Sequence, residues 1–198
     1  MLRRLQLRLY GLRRRSLSRA RFFSTVILPV VGSPGASTRG QDNATAPFGV
    51  LFPNGVGSVL ASFMLPQSAP SGADQVLLDI NDGSANNRIR VRNVAGGNTI
   101  VAGRTIGGVN VDATTLGSMV PSTLFRVGLT FDGTNIVANF NGGSNQTVAG
   151  VPTGLTTLRI GNDSAGTAPM FGECGIMQTF PDVIPNGSLP IAVANIPG

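Results

Sequence analysis

Along most of the chain, short runs of apolar and β-branched residues alternate with clusters of Gly, Asn, Asp and Pro. From residue 50 onward, ten such runs predict strands: 56–65, 75–81, 87–93, 98–102, 108–113, 123–131, 135–141, 145–149, 155–161 and 171–180. No stretch of this region sustains a helical period. Many short strands with turn residues between them predict an all-β protein, a two-sheet antiparallel jelly-roll sandwich.

Two runs carry the pattern in detail. Phe125, Val127, Leu129 and Phe131 alternate with Arg126, Gly128 and Thr130, and Asp132-Gly133 follows. Ile136, Ala138 and Phe140 then return, and Asn141-Gly142-Gly143 closes the run. Asp-Gly between two alternating runs predicts a tight hairpin, because Gly accepts the positive φ such turns require. In the run 87–93, Ile89 and Val91 fall on one face and Arg88, Arg90 and Arg92 on the other. The arginine row has two readings: a partner-binding face for phosphate or acidic groups, or a solvated face opposite acidic neighbours on the next strand. On an edge strand it would also discourage further pairing.

The first 49 residues read differently. In residues 1–22, Leu2, Leu5, Leu9 and Leu12 recur at helical spacing, but Gly11 and the crowded like charges oppose a helix. The expectation is an arm that is extended or weakly helical. Residues 23–31 (FSTVILPVV) are apolar and β-rich but interrupted by Pro29, which fits an edge strand. They are too few to span a bilayer, and no membrane partner is expected. Residues 32–49 lack a pattern and read as a linker. At the far end, residues 182–198 are Pro-rich and read as non-helical. The chain thus divides into arm 1–22, strand-like segment and linker 23–49, sandwich 50–181 and tail 182–198.

Charge sharpens this division. The chain has fifteen arginines and no lysine, and eight of them (Arg3, Arg4, Arg8, Arg13, Arg14, Arg15, Arg19 and Arg21) lie in the arm, which has no acidic residue. The remainder sets seven arginines against nine acidic residues, a net of −2. A partner selected by positive charge therefore belongs to the arm. Three readings of the arm stand: a docking arm on an acidic protein surface, a phosphate-contacting nucleic-acid arm, and an Arg- and Ser-rich transit peptide with LSRARFFS as its cleavage region. The first is preferred, and nucleic acid is not the expected partner.

Composition also restricts the chemistry. There is no His and no Trp, one Tyr and one Cys. The usual general base and the commonest metal ligand are missing. Cys174 has no second cysteine and reads as a small buried hydrophobe. Paired glycosidase carboxylates are not evident: Glu173 is the chain's one Glu, within a strand-like run, and it reads as a solvent-facing or Arg-paired residue. Asp79 and Asp82, with Asn86 or Asn87, are hard oxygen donors at close spacing that Ca²⁺ would accept. Ordinary Asx-turn chemistry explains them better, and the same holds for Asn162-Asp163-Ser164. No metal, no cofactor and no enzymatic activity are expected. The ten Phe read as core or strand residues rather than as a sugar-stacking platform.

The segments LDINDGSANNRIRVRN (78–93), FRVGLTFDGTNIVANFNGG (125–143) and VPTGLTTLRIGNDSAGTAPMFGECGIMQTFP (151–181) resemble, in order and spacing, bacteriophage structural proteins with a concanavalin-A-like (laminin-G-like) jelly roll. Such proteins usually close with a strand leading to a short helix, and the Pro-rich tail departs from that pattern. The resemblance implies a virion structural protein, a capsid decoration or head-associated fibre component, anchored to other virion proteins by its arm. Self-association is expected because Ile184, Leu189, Ile191, Val193 and Ile196 of the tail would otherwise be exposed. A trimer follows from the phage analogy alone. The alternative is a carbohydrate-binding module that recognises a host surface glycan.

Overall fold

The computed structural model describes residues 44–197. The arginine arm and the strand-like segment 23–31 lie outside the described residues. Eleven strands and two short helices follow in the order β1 (Ala44–Pro47), α1 (Phe48–Leu51), β2 (Gly57–Met64), β3 (Gln75–Asn81), β4 (Arg88–Asn93), β5 (Thr99–Ile106) and β6 (Val109–Ser118). Then come β7 (Leu124–Phe131), β8 (Asn135–Phe140), β9 (Gln146–Ala149), β10 (Thr157–Ile160), β11 (Glu173–Phe180) and α2 (Leu189–Ala194). A six-stranded sheet, β1-β10-β3-β4-β5-β6, packs on a five-stranded sheet, β11-β2-β7-β8-β9. Every pairing is antiparallel.

Each of the ten runs predicted as strands forms one. β5 runs beyond its predicted end to a hairpin at Gly107-Gly108, where both residues have positive φ, and β6 runs past 113 because it stays paired along β5 as far as Thr99↔Ser118. The β7–β8 hairpin closes as expected: Gly133 has φ +88°, and Asp132 Oδ1 accepts from the Thr134 and Asn135 N–H groups.

The core lies between the sheets, filled by the inward set of each strand. Val59, Ala61 and Phe63 of β2 meet Ile80 of β3, Ile89 and Val91 of β4, and Phe125, Val127, Leu129 and Phe131 of β7. At one end Phe48 and Phe52 stack around Phe131, with centroids 5.8 and 5.0 Å away. Such rings bury the largest apolar area per residue and favour tilted contacts. β1 lies in the stretch read as a linker; it pairs with β10 through Ala44↔Ile160 and Pro47↔Thr157.

The tail corrects its sequence reading. Leu189–Ala194 is helical despite Pro190, because proline at the first turn has no intrahelical N–H to lose and its φ already suits a helix. The helix lies on the outer face of the five-stranded sheet. There Leu189, Val193 and Ile196 are buried with Leu60 and Val137, and form a second apolar cluster. The tail's apolar side chains are thus covered mostly by their own sheet, and the expected reason for self-association falls away; Ile191 alone of the five stays well exposed. β2 is consequently buried on both faces.

Candidate functional site

With α2 over one sheet, the outer face of the six-stranded sheet is the flat surface that neither helix covers. Its residues follow from strand alternation. Ile89, Val91 and Asn93 of β4 are buried, while Arg88, Arg90 and Arg92 are half-buried on the opposite face. β4 is an interior strand between β3 and β5, so the arginines do not guard a sheet edge. On β3, Asp79 stands opposite Arg90 and Asn81 opposite Arg88; on β10, Arg159 stands opposite Asp79. A charged row Arg159–Asp79–Arg90 therefore crosses three adjacent strands.

The acidic neighbours come partly from the next strand, as one sequence reading expected, and partly from loops. Arg92 pairs with Asp74, which precedes β3 and also accepts the Ala95 N–H at 3.0 Å. Arg88 Nη1 lies 3.9 Å from Asp163 Oδ2, in the loop between β10 and β11. Asp163 is itself held by the Thr167 N–H at 2.7 Å and the Thr167 hydroxyl at 3.1 Å. Arg90 turns toward β6, donating from Nη2 to Asn110 Oδ1 at 3.1 Å; the Thr105 hydroxyl donates to the same oxygen at 3.3 Å. Nearby, the Gly107 N–H donates to Asn87 Oδ1 at 3.0 Å. The result is a polar surface beside the β5–β6 turn, made of the exposed Asn110 amide with the half-buried Arg90 guanidinium and Asn87 amide, above the buried Thr105 hydroxyl.

The loop after β10 folds back over the other half of this face. The Ser164 N–H donates to Asp79 Oδ2 at 3.0 Å, and Asp79 is fully buried. Among the described residues, neither Asp79 Oδ1 nor Asn81 Nδ2 finds a hydrogen-bond partner. Burial raises the Asp79 pKa to about 6; Arg88, the Asn81 amide and the Ser164 N–H pull it down, and Asp163 pushes it up.

Asp79 and Asp82, calcium ligands in one reading, share no hydrogen-bond partner among the described residues. Asp82 accepts from the Ser84 N–H at 2.8 Å, the Ser84 hydroxyl at 2.7 Å and Asn87 Nδ2 at 2.9 Å, and these bonds lower its pKa. Both oxygens are used within its own turn. Among the described residues no three of His, Cys, Asp and Glu gather as a metal site would require. Glu173 is exposed at the start of β11. Cys174 is half-buried, and burial raises its thiol pKa to about 11. Phe171 departs from the reading of every Phe as core or strand: it is 52% exposed and precedes β11. No described helix is long and apolar enough to cross a membrane.

No family model and no curated protein matches the chain. Solved structures do. The CBM40 of the Ruminococcus gnavus IT-sialidase, bound to α2,3-sialyllactose, is 18% identical, with a TM-score of 0.53 over 70% of this chain and 82% of that one. Domain 4 of AbnA, a GH43 extracellular arabinanase from Geobacillus stearothermophilus in complex with arabinotriose, is 10% identical, with a TM-score of 0.56 over 70% of this chain and 66% of that one. A heptameric SAP-like pentraxin from Limulus polyphemus is 14% identical, with a TM-score of 0.52 over 71% of this chain and 70% of that one. At such identities the likeness is one of fold, a lectin-like jelly-roll sandwich. Nothing in these comparisons points to a bacteriophage origin.

Proposed function

We propose that this domain is a non-catalytic carbohydrate-binding module that holds an anionic glycan on the outer face of its six-stranded sheet. The observation that carries the reading is the half-buried Arg90 guanidinium bonded to the exposed Asn110 amide, set on the sheet face that α2 leaves open. A planar guanidinium matches a carboxylate with two parallel hydrogen bonds, and the adjacent Asn110 and Asn87 amides supply donors and acceptors for sugar hydroxyls. Two fold neighbours are domains in complex with oligosaccharides, and the sialyllactose of one carries a carboxylate.

Titration of the full chain with 3′-sialyllactose and with lactose tests this. Saturable binding of the acidic sugar, weaker binding of lactose, and a loss of roughly tenfold or more in affinity in Arg90→Ala are expected, since a charge-assisted bond contributes about 1.5–3 kcal/mol. No binding of either sugar, or binding indifferent to Arg90→Ala, would count against it.

A place on a virion is a separate proposal, supported by the resemblance of residues 78–93, 125–143 and 151–181 to phage structural proteins and by the arginine-rich arm 1–22. It is compatible with glycan binding. It requires that the chain co-purify with particles and that removal of residues 1–22 release it.

A further inference from the structure

The two open sides of the sandwich are closed differently. On one side β6 and β9, the last strands of their sheets, lie against each other, and Arg104 Nε donates to Ala149 O at 2.5 Å across the rim. On the other side stand β1 and β11. β1 is only four residues long and ends in Pro47. β11 is eight residues long and, among the described residues, pairs with β2 alone.

β11 is an unusual edge. Cys174 and Met177 pack at the margin of the main core, and Ile176 and Phe180 at the margin of the second cluster, yet all four are only half-buried. Natural edges are blunted by charge, proline, a bulge or a covering segment. Here the bulge between Cys174 and Met177 interrupts the first half, where the Ile176 N–H turns to Ser62 Oγ at 3.0 Å. The second half, Met177–Phe180, is in regular register and carries no charge and no proline.

We infer that residues 23–31 of the same chain add to β11 as a further strand of the five-stranded sheet. The segment is apolar and β-rich. Twelve residues, 32–43, join it to Ala44 of β1, which stands on the same side of the sandwich as β11. Twelve residues span up to about 40 Å, whereas neighbouring strands are about 4.8 Å and packed sheets about 10 Å apart. An antiparallel alignment that sets Arg21 opposite Asp182 sets Phe23–Val26 along Phe180–Met177. It also brings Pro29 opposite Cys174, in the half where the bulge already breaks the ladder. One alignment thus pairs the charges, covers the regular half and places the proline where no ladder bond is lost.

Hydrogen exchange on the full wild-type chain, together with cross-linking to its one cysteine, tests this. Slow exchange is expected in residues 23–26 and in every amide of Met177–Phe180, including those that point away from β2. Single substitutions Leu28→Cys, Pro29→Cys and Val30→Cys are expected to give, in at least one case, an oxidative bond to Cys174 within a monomer. Exchange at unstructured-peptide rates in either stretch, absence of any bond, or a bond that forms only between copies would overturn the inference; the last result would assign the edge to a second copy.

Discussion

Gly128 lies directly beneath Val193. A Cβ on Gly128 would run into Val193 Cγ2 and come within 3.0 Å of Leu189 Cδ1 and 3.2 Å of Leu60 Cδ2. The missing side chain in the middle of β7 therefore sets how closely α2 approaches the sheet. Gly128→Val is predicted to lift the helix at a cost of about 1–3 kcal/mol, the usual range for overpacking. Leu189→Ala, from the other side of the contact, is predicted to cost about 2–5 kcal/mol. Urea midpoints measure both, and proteolysis between residues 183 and 197 should accelerate in each.

Ser58 ties the tail to β2 before the helix begins. Its hydroxyl accepts the Ile184 N–H at 2.8 Å and donates to the Asp182 carbonyl at 3.0 Å, and Ser58 is fully buried. Ser58→Ala leaves a backbone N–H and a carbonyl without these partners, which costs about 1–3 kcal/mol. Equilibrium unfolding should show the loss, and amide exchange at Ile184 should accelerate more than at the core strands.

The buried Asp79 makes stability depend on pH with an unusual sign. Its folded-state pKa of about 6 lies above the ordinary 3.8, so the folded protein binds this proton more tightly than the unfolded chain. The contribution is fully present below about pH 4 and is lost as pH rises through 6; it amounts to roughly 2–3 kcal/mol. Asp79→Asn keeps an oxygen for the Ser164 N–H and removes the titration. Relative to this variant, the wild-type urea midpoint is predicted to fall between pH 4 and pH 6.5.

Cys174 is predicted to react slowly with disulfide reagents at pH 8. Burial holds its thiol near a pKa of about 11, so very little thiolate is present. The labelling rate should rise by at least tenfold in denaturing urea. Rapid labelling of the native chain would show that this edge of the core opens readily.

The strands were legible because period 2 survives in almost every run, and because Asp132-Gly133 marks its own hairpin. The arginine row was legible for the same reason: one residue in two points outward. Its counter-charge from the loop was not, since Asp163 approaches Arg88 only when the loop after β10 folds over β3, a contact 75 residues distant in sequence. Asp79 fell in a predicted strand yet read as turn chemistry, and its burial by that same loop was not legible. β1 was missed because four residues carry too little alternation. The helix in the tail had a signal, Leu189, Val193 and Ile196 at spacings of four and three, which the three prolines of the segment obscured.

On the proposed reading, the outer face of the six-stranded sheet binds an anionic glycan. An array of neutral, carboxylated and sulfated glycans probed with the full chain, and in parallel with Arg90→Ala, tests it most directly. Selective retention on anionic glycans is expected, abolished by Arg90→Ala while the unfolding midpoint of that variant stays near wild type. Silence across the array, or retention unchanged by the substitution, would contradict it.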